Sequence, residues 1–345
     1  MNSNTKELSA FFEESFGSNA AYVEGLFNRY QQDPKLVDDA WQTYFGDLLN
    51  GIVPQDATNA SGTAPVSAPA AATVTVAAPK APAAPAVTLG TDTEPTPLTG
   101  VAKKIVENME ASLTVPTATS FRNIPVKVLE ENRRIINDFL SSRSRGKASF
   151  THIIAWAIVQ AAKEIPSMNV GFGVVNDKPS RLEHEHINLG IAIDIEKKDG
   201  SRSLLVPNIK AAEAMNFAEF FAAYNEQVKK ARDGKLEIAD FQGTTISLTN
   251  PGTIGTAASN PRLMAGQSAI IATGAIEYPA EYQAMTDGAL SMMGISKTIT
   301  LTSTYDHRVI QGAESGLFLA RIHEFLKGEH GFYDSMFASL DRTLS

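Results

Sequence analysis

The stretch Thr304-Tyr305-Asp306-His307-Arg308-Val309-Ile310-Gln311-Gly312 sets a histidine between an acid and a base. It follows the alternating run Thr298 to Thr304 and precedes a glycine turn and a helix. Side chains at strand ends are held firmly yet can face a crevice. A neutral imidazole, with a pKa of about 6.5, can accept a proton at working pH. His307 is therefore a candidate general base; on the residues alone it can equally be a surface histidine in a turn.

A second stretch, Thr244 to Thr256, is a hydroxyl-rich strand running through Thr249 into Asn250-Pro251-Gly252. Such a turn lets backbone approach a ligand, and a hydroxyl there can donate to an oxyanion. The same residues would also serve an ordinary strand and turn. His184 and His186 have a metal-site spacing, but no third or fourth ligand is spaced nearby, so they read as a solvated loop. Asp177-Lys178-Pro179 is similar to the turn lysine of a lipoyl domain but lacks an all-β unit around it. Walker-type phosphate loops are absent. There are no cysteines, which excludes disulfides, thiolate metal sites and a cysteine nucleophile.

These stretches need a scaffold, and residues 98–345 carry nearly all the apolar patterning of the 345-residue chain. Helices are expected over Val101–Leu113, Val128–Leu140, Ser149–Lys163 (capped by Ser149), Phe217–Arg232 and Ala313–Leu326, the last closing the chain. Strands are expected over Thr117–Val126, Ile187–Ile195, Ser203–Val206, Thr244–Thr249, Ser268–Ala275 and Thr298–Tyr305. Helices and strands mix without strict alternation, which implies an α+β fold around a mixed sheet.

Residues 1–50 hold eight acidic and three basic side chains and two short amphipathic helices. One carries Val23, Leu26, Phe27 and Tyr30; the other carries Val37, Trp41, Tyr44, Phe45 and Leu48, with Asp33-Pro34 between them. So short a hairpin is expected to be marginal or to lean on a partner. Residues 51–97 read as a flexible linker, with 13 alanines and 6 prolines over 51–90 and charge only at Asp56 and Lys80. The net charge of -8 argues against nucleic acid or anionic lipid as partner, and no export or membrane segment is evident, so a cytoplasmic protein is expected.

Tyr305-Asp306-His307-Arg308-x-x-Gln311-Gly312 resembles the D-H-R-x-x-D-G signature of the dihydrolipoamide acyltransferases, the E2 components of 2-oxo acid dehydrogenase complexes. Thr249-Asn250-x-Gly252 resembles their [ST]-N-G-G turn, and Leu204-Leu205-Val206-Pro207 an apolar strand of the same family. The stretches Val115–Ser120, Ser247–Thr256 and Val309–Gly316 are more similar to the E2-type domain of multifunctional 2-oxoglutarate dehydrogenase/decarboxylases. There a succinyltransferase domain without a lipoyl domain precedes a thiamine-dependent E1. Residues 10–48 resemble the helical N-terminal segment of 2-oxoglutarate dehydrogenase E1, including Asp33-Pro34-x-x-Val37-Asp38-x-x-Trp41.

The resemblance implies a chloramphenicol acetyltransferase-like two-layer fold over 98–345, preceded by the helical leader (1–50) and the disordered linker. It implies succinyl transfer between a dihydrolipoyl group, supplied by another polypeptide, and coenzyme A. His307 would be the base and Thr249 the oxyanion donor, supported by Asp306, Arg308, Gln311, Asn250 and Gly252, with no metal. It also implies a homotrimer whose active site lies between subunits, and lipoyl-bearing E2 and E3 as partners of the acidic leader. Gln311 stands where the family carries an aspartate assigned to a bracing ion pair, so the bracing must differ here. The chain stops at Ser345, where E1 begins in that subfamily. It reads as a piece of the fused enzyme, with thiamine diphosphate and Mg belonging to the rest, or as a free-standing acyltransferase. A catalytically idle trimeric scaffold is the competing expectation.

Overall fold

In the computed structural model the described residues are 11–12, 15–16, 20–50, 94–95, 97–98, 101–196, 202–263 and 266–342. The linker expected over 51–97 lies outside them, apart from Glu94, Pro95 and Pro97.

The leader forms α1 (Ala20–Gln32) and α2 (Asp39–Leu49). Between them Asp33 and Pro34 turn the chain, and Asp38 caps α2 by accepting the Trp41 N–H at 3.0 Å. Then come α3 (Val101–Ser112), β1 (Thr117–Pro125), α4 (Lys127–Ser141) and α5 (Phe150–Glu164). Ser149 caps α5 as expected, accepting from the His152 N–H. Next are β2 (Val170–Val175), β3 (Lys178–Glu183), β4 (Leu189–Ile191), β5 (Ile193–Glu196), β6 (Arg202–Leu205) and β7 (Asn208–Ile209). The chain continues through α6 (Phe217–Asp233), α7 (Ile238–Phe241), β8 (Ile246–Thr249), β9 (Ala269–Thr273) and α8 (Asp287–Met292). It ends in β10 (Thr298–Asp306), α9 (Gly312–Leu326) and α10 (Phe332–Arg342). Among the described residues no helix is long and apolar enough to cross a membrane.

A six-stranded mixed sheet in the order β1-β10-β9-β8-β4-β7 organises these elements. β10 runs antiparallel to both β1 and β9, while β9, β8 and β4 are mutually parallel. Alternate residues of β10 explain its central place. Ile299, Leu301 and Tyr305 enter the apolar core with Ile153, Ile158, Phe318 and Ile322 of α5 and α9. On its other face Thr304 bonds Thr119 of β1 at 2.9 Å and Thr302 donates to the Ser259 carbonyl at 2.6 Å. Buried hydroxyls are tolerated there because they are paired.

Three elements differ from expectation. The run Ile187–Ile195 is two strands: β4 stays in the main sheet, and past Ala192 β5 leaves it to pair with β6. The β2–β3 hairpin was not anticipated, although its two-residue Asn176-Asp177 turn, with φ of 51° and 59°, is the kind that matches strand twist. α10 extends the chain's helices beyond α9, burying Phe332, Met336 and Leu340.

The leader finds its support within the same chain. Val23, Leu26, Phe27, Trp41, Tyr44 and Phe45 share one apolar cluster with Leu205, Ala231, Leu236 and Phe241. The Trp41 indole N–H donates to the Leu236 carbonyl at 3.3 Å, and the Tyr22 and Phe241 rings lie 5.5 Å apart. The support expected of a partner is thus supplied to its apolar side by the β5–β6 hairpin and the α6–α7 corner of the same chain.

Candidate active site

β10 delivers its last residue, Asp306, into a buried position and leaves His307 exposed one residue later. The turn between them and α9 is tied from several sides. The Asp306 N–H donates to Ser268 O at 2.9 Å and the His307 N–H to Pro116 O at 2.9 Å. The Ile310 N–H returns to Asp306 O at 3.0 Å. The imidazole packs edge-on to Tyr305, with ring centres 5.5 Å apart.

Asp306 and Arg308 form the strongest local restraint. The Arg308 guanidinium donates to both carboxylate oxygens, at 2.9 Å from Nε and 2.6 Å from Nη2, and its backbone N–H adds a third bond at 3.0 Å. Two-point pairing of this kind fixes geometry as well as charge. The outer face of the guanidinium lies 3.8 Å from the centre of the Phe172 ring. This pair braces the turn from within. Gln311 is exposed at the N-cap of α9, where its backbone N–H donates to Glu314 Oε2 at 2.6 Å.

Thr249 ends β8 half-buried. Its two followers serve the scaffold. Asn250 Nδ2 donates to Thr151 Oγ1 of α5 at 2.7 Å. Gly252 lies against the backbone of Gly274 so closely that a Cβ would fall inside the Gly274 carbonyl. Its missing side chain is used for backbone packing.

His307 and Thr249 are not brought together within one chain. Thr249 pairs with Ala272 of β9, which pairs with Thr302 of β10, five residues short of His307. Five strand residues and two strand spacings amount to about 19 Å. The hairpin neighbours of the histidine turn, Phe172 and Arg181, which face each other across β2 and β3, were not expected. Arg181 Nη1 donates to Val309 O at 3.3 Å. Their signal was the alternating Val170–Val175 run before Asn176-Asp177.

His186 and His184 sit in different surroundings. His186 is exposed, and Glu213 accepts from it at 2.8 Å, which raises its pKa through that hydrogen bond. His184 is less open than a solvated loop would make it: burial lowers its pKa, and its Nε2 is buried beside Gly171.

The 2-oxoacid dehydrogenases acyltransferase (catalytic domain) family matches residues 90–331, and the chain belongs to it. The 2-oxoglutarate dehydrogenase N-terminus family matches residues 15–51. Among solved structures, a probable dihydrolipoamide acetyltransferase from Listeria monocytogenes superposes with a TM-score of 0.58 at 26% identity, covering 69% of this chain and 96% of that one. The cubic core of a pyruvate dehydrogenase multienzyme complex has the same fold, with a TM-score of 0.57 at 24% identity over 70% of this chain and 96% of that one.

The particular relatives are narrower. The multifunctional 2-oxoglutarate metabolism enzyme of Mycolicibacterium vanbaalenii is 44% identical over 361 residues, covering 94% of this chain and 29% of that protein. The enzyme of that name from Mycobacterium sp. strain JLS is 54% identical over 243 residues, covering 70% of this chain and 19% of its own length. The chain thus spans less than a third of these relatives.

Proposed function

We propose that this chain transfers a succinyl group between a dihydrolipoyl thiol, carried by another polypeptide, and coenzyme A. The observation that carries the reading is His307, exposed at a turn whose geometry the ion pair between buried Asp306 and Arg308 fixes. The acyltransferase unit is residues 98–345, behind leader 1–50 and linker 51–97.

A thiol with a pKa of about 8.5 is only a few per cent ionised at neutral pH, so a positioned base raises the reactive fraction. The His307 imidazole takes the proton of the attacking thiol as its sulfur bonds to the thioester carbonyl. The Thr249 hydroxyl donates to the oxyanion of the tetrahedral intermediate, a contact worth about 3 kcal/mol in comparable sites. Collapse breaks the old carbon–sulfur bond, and the departing sulfur takes the proton back from His307. Because His307 and Thr249 are about 19 Å apart in one chain, Thr249 comes from a neighbouring subunit of a homotrimer. The succinyl preference and the participation of lipoyl-bearing E2 and E3 rest on the 2-oxoglutarate relatives.

Thioester exchange between succinyl-CoA and free dihydrolipoamide tests this. Exchange that requires His307 is expected; exchange no faster than in buffer would leave only an assembly scaffold.

A further inference from the structure

We infer that Arg181 is the specificity residue of this site, binding the terminal carboxylate of a dicarboxylic acyl group. The inference rests on the acyl-transfer reading above and goes beyond it by naming the group that recognises the substrate.

Two cations flank the histidine turn, and they are in different states. Arg308 is spent on Asp306, with both carboxylate oxygens engaged and its flat face covered by Phe172. Arg181 is exposed on β3, directly across the hairpin from Phe172. One nitrogen, Nη1, is anchored by Val309 O at 3.3 Å. Among the described residues no carboxylate pairs with it, so its remaining N–H donors face solvent beside the turn.

The anchor sets the reach. Val309 is two residues past His307, on the order of 6 Å along the chain. A succinyl thioester carries its carboxylate two methylenes from the reacting carbonyl. With the carbonyl at His307, that carboxylate can extend toward the Val309 side of the turn. A planar guanidinium with one nitrogen already tethered loses little freedom in accepting it, and the match is charged at both ends. An acetyl group has nothing to offer there. The hairpin thus does two jobs: Phe172 steadies the ion pair under the histidine, and its cross-strand neighbour reads the acyl group.

The test compares Arg181→Gln and Arg181→Lys with the parent, using the full chain, free dihydrolipoamide, and succinyl-CoA or acetyl-CoA as donor. The expected result is a loss in kcat/KM for succinyl-CoA of about tenfold to a hundredfold in Arg181→Gln, mostly through KM. Acetyl-CoA should stay within about twofold, and Arg181→Lys should recover part of the succinyl activity. Equal losses with both donors would mean that Arg181 only props the turn, and would overturn the inference. So would a loss that disappears when 3′-dephospho-CoA thioesters are used, since the cation would then be reading the coenzyme's phosphate. A parent that exchanges neither donor fails the acyl-transfer reading and the inference together. A parent that prefers succinyl while Arg181→Gln keeps that preference fails the inference alone.

Discussion

Thr249 and His307 lie toward opposite ends of one sheet, connected through the pairs Thr249–Ala272 and Ala272–Thr302. No side-chain rotation closes a gap of about 19 Å. If both residues act on one thioester, each must work with its counterpart from another copy.

Mixing therefore separates the two roles. His307→Ala and Thr249→Val preparations, each weakly active, should regain activity when subunits are exchanged, because some interfaces then pair an intact histidine with an intact threonine. Light scattering should give a trimer, and activity per subunit should fall on dilution. A fully active monomer would contradict the shared site.

His307→Ala should lower exchange by about 10²–10⁴-fold, the usual contribution of a general base, with unchanged circular dichroism. Retention of more than about a tenth of the rate would assign the proton transfer elsewhere. Thr249→Val should cost less, and chiefly in kcat.

Gln311→Asp should raise stability more than it alters turnover. The position is the exposed N-cap of α9, where the shorter, charged aspartate suits the first-turn N–H groups and the helix dipole better than glutamine, by about 0.5–1 kcal/mol. Thermal melting should record the gain, and kcat should stay within about twofold. A large gain in rate would show that the glutamine had weakened the site.

His152 should make the fold acid-sensitive. Burial pushes its pKa down to about 4 from 6.5, partly offset by its hydrogen bond to Asn225. Its Nδ1 accepts from the Ser149 N–H at 3.0 Å, so the folded state holds the neutral ring. An unfolded histidine protonates first. The associated stability is complete above about pH 6.5 and is lost as the pH falls toward 4, by roughly 3 kcal/mol. Urea melts between pH 7 and 4 should show this slope, and His152→Gln should flatten it.

Trp41→Ala should release the leader while sparing catalysis. Emptying a site of that size costs about 3–5 kcal/mol. Hydrogen exchange should quicken across 20–50 and at the α6–α7 corner, with dye binding to the uncovered Leu205, Leu236 and Phe241. Exchange with free dihydrolipoamide should persist.

The sequence made these elements legible unevenly. β10 and α9 were readable because apolar alternation and helical spacing both survive intact up to Asp306 and from Gly312. Both leader helices were readable for the same reason. The split at Ala192 was not, because Ile191 and Ile193 are both apolar and only the departure of β5 from the sheet separates them. At Gly252 close backbone approach has the same signature whether the neighbour is a ligand or Gly274, so the sequence alone did not reveal its neighbour. Arg181 was invisible for a different reason: its importance comes from Val309, 128 residues away.

The leader's seat on this chain also sets an order of events during synthesis. Residues 20–50 leave the ribosome well before Leu205, Leu236 and Phe241 exist to receive them. The last of these is made about 190 residues later, which at common elongation rates is about 10–40 s. For that interval Phe27, Trp41 and Phe45 have only other leader residues to pack against. The leader therefore docks late, and its apolar side stays open until the α6–α7 corner has been made.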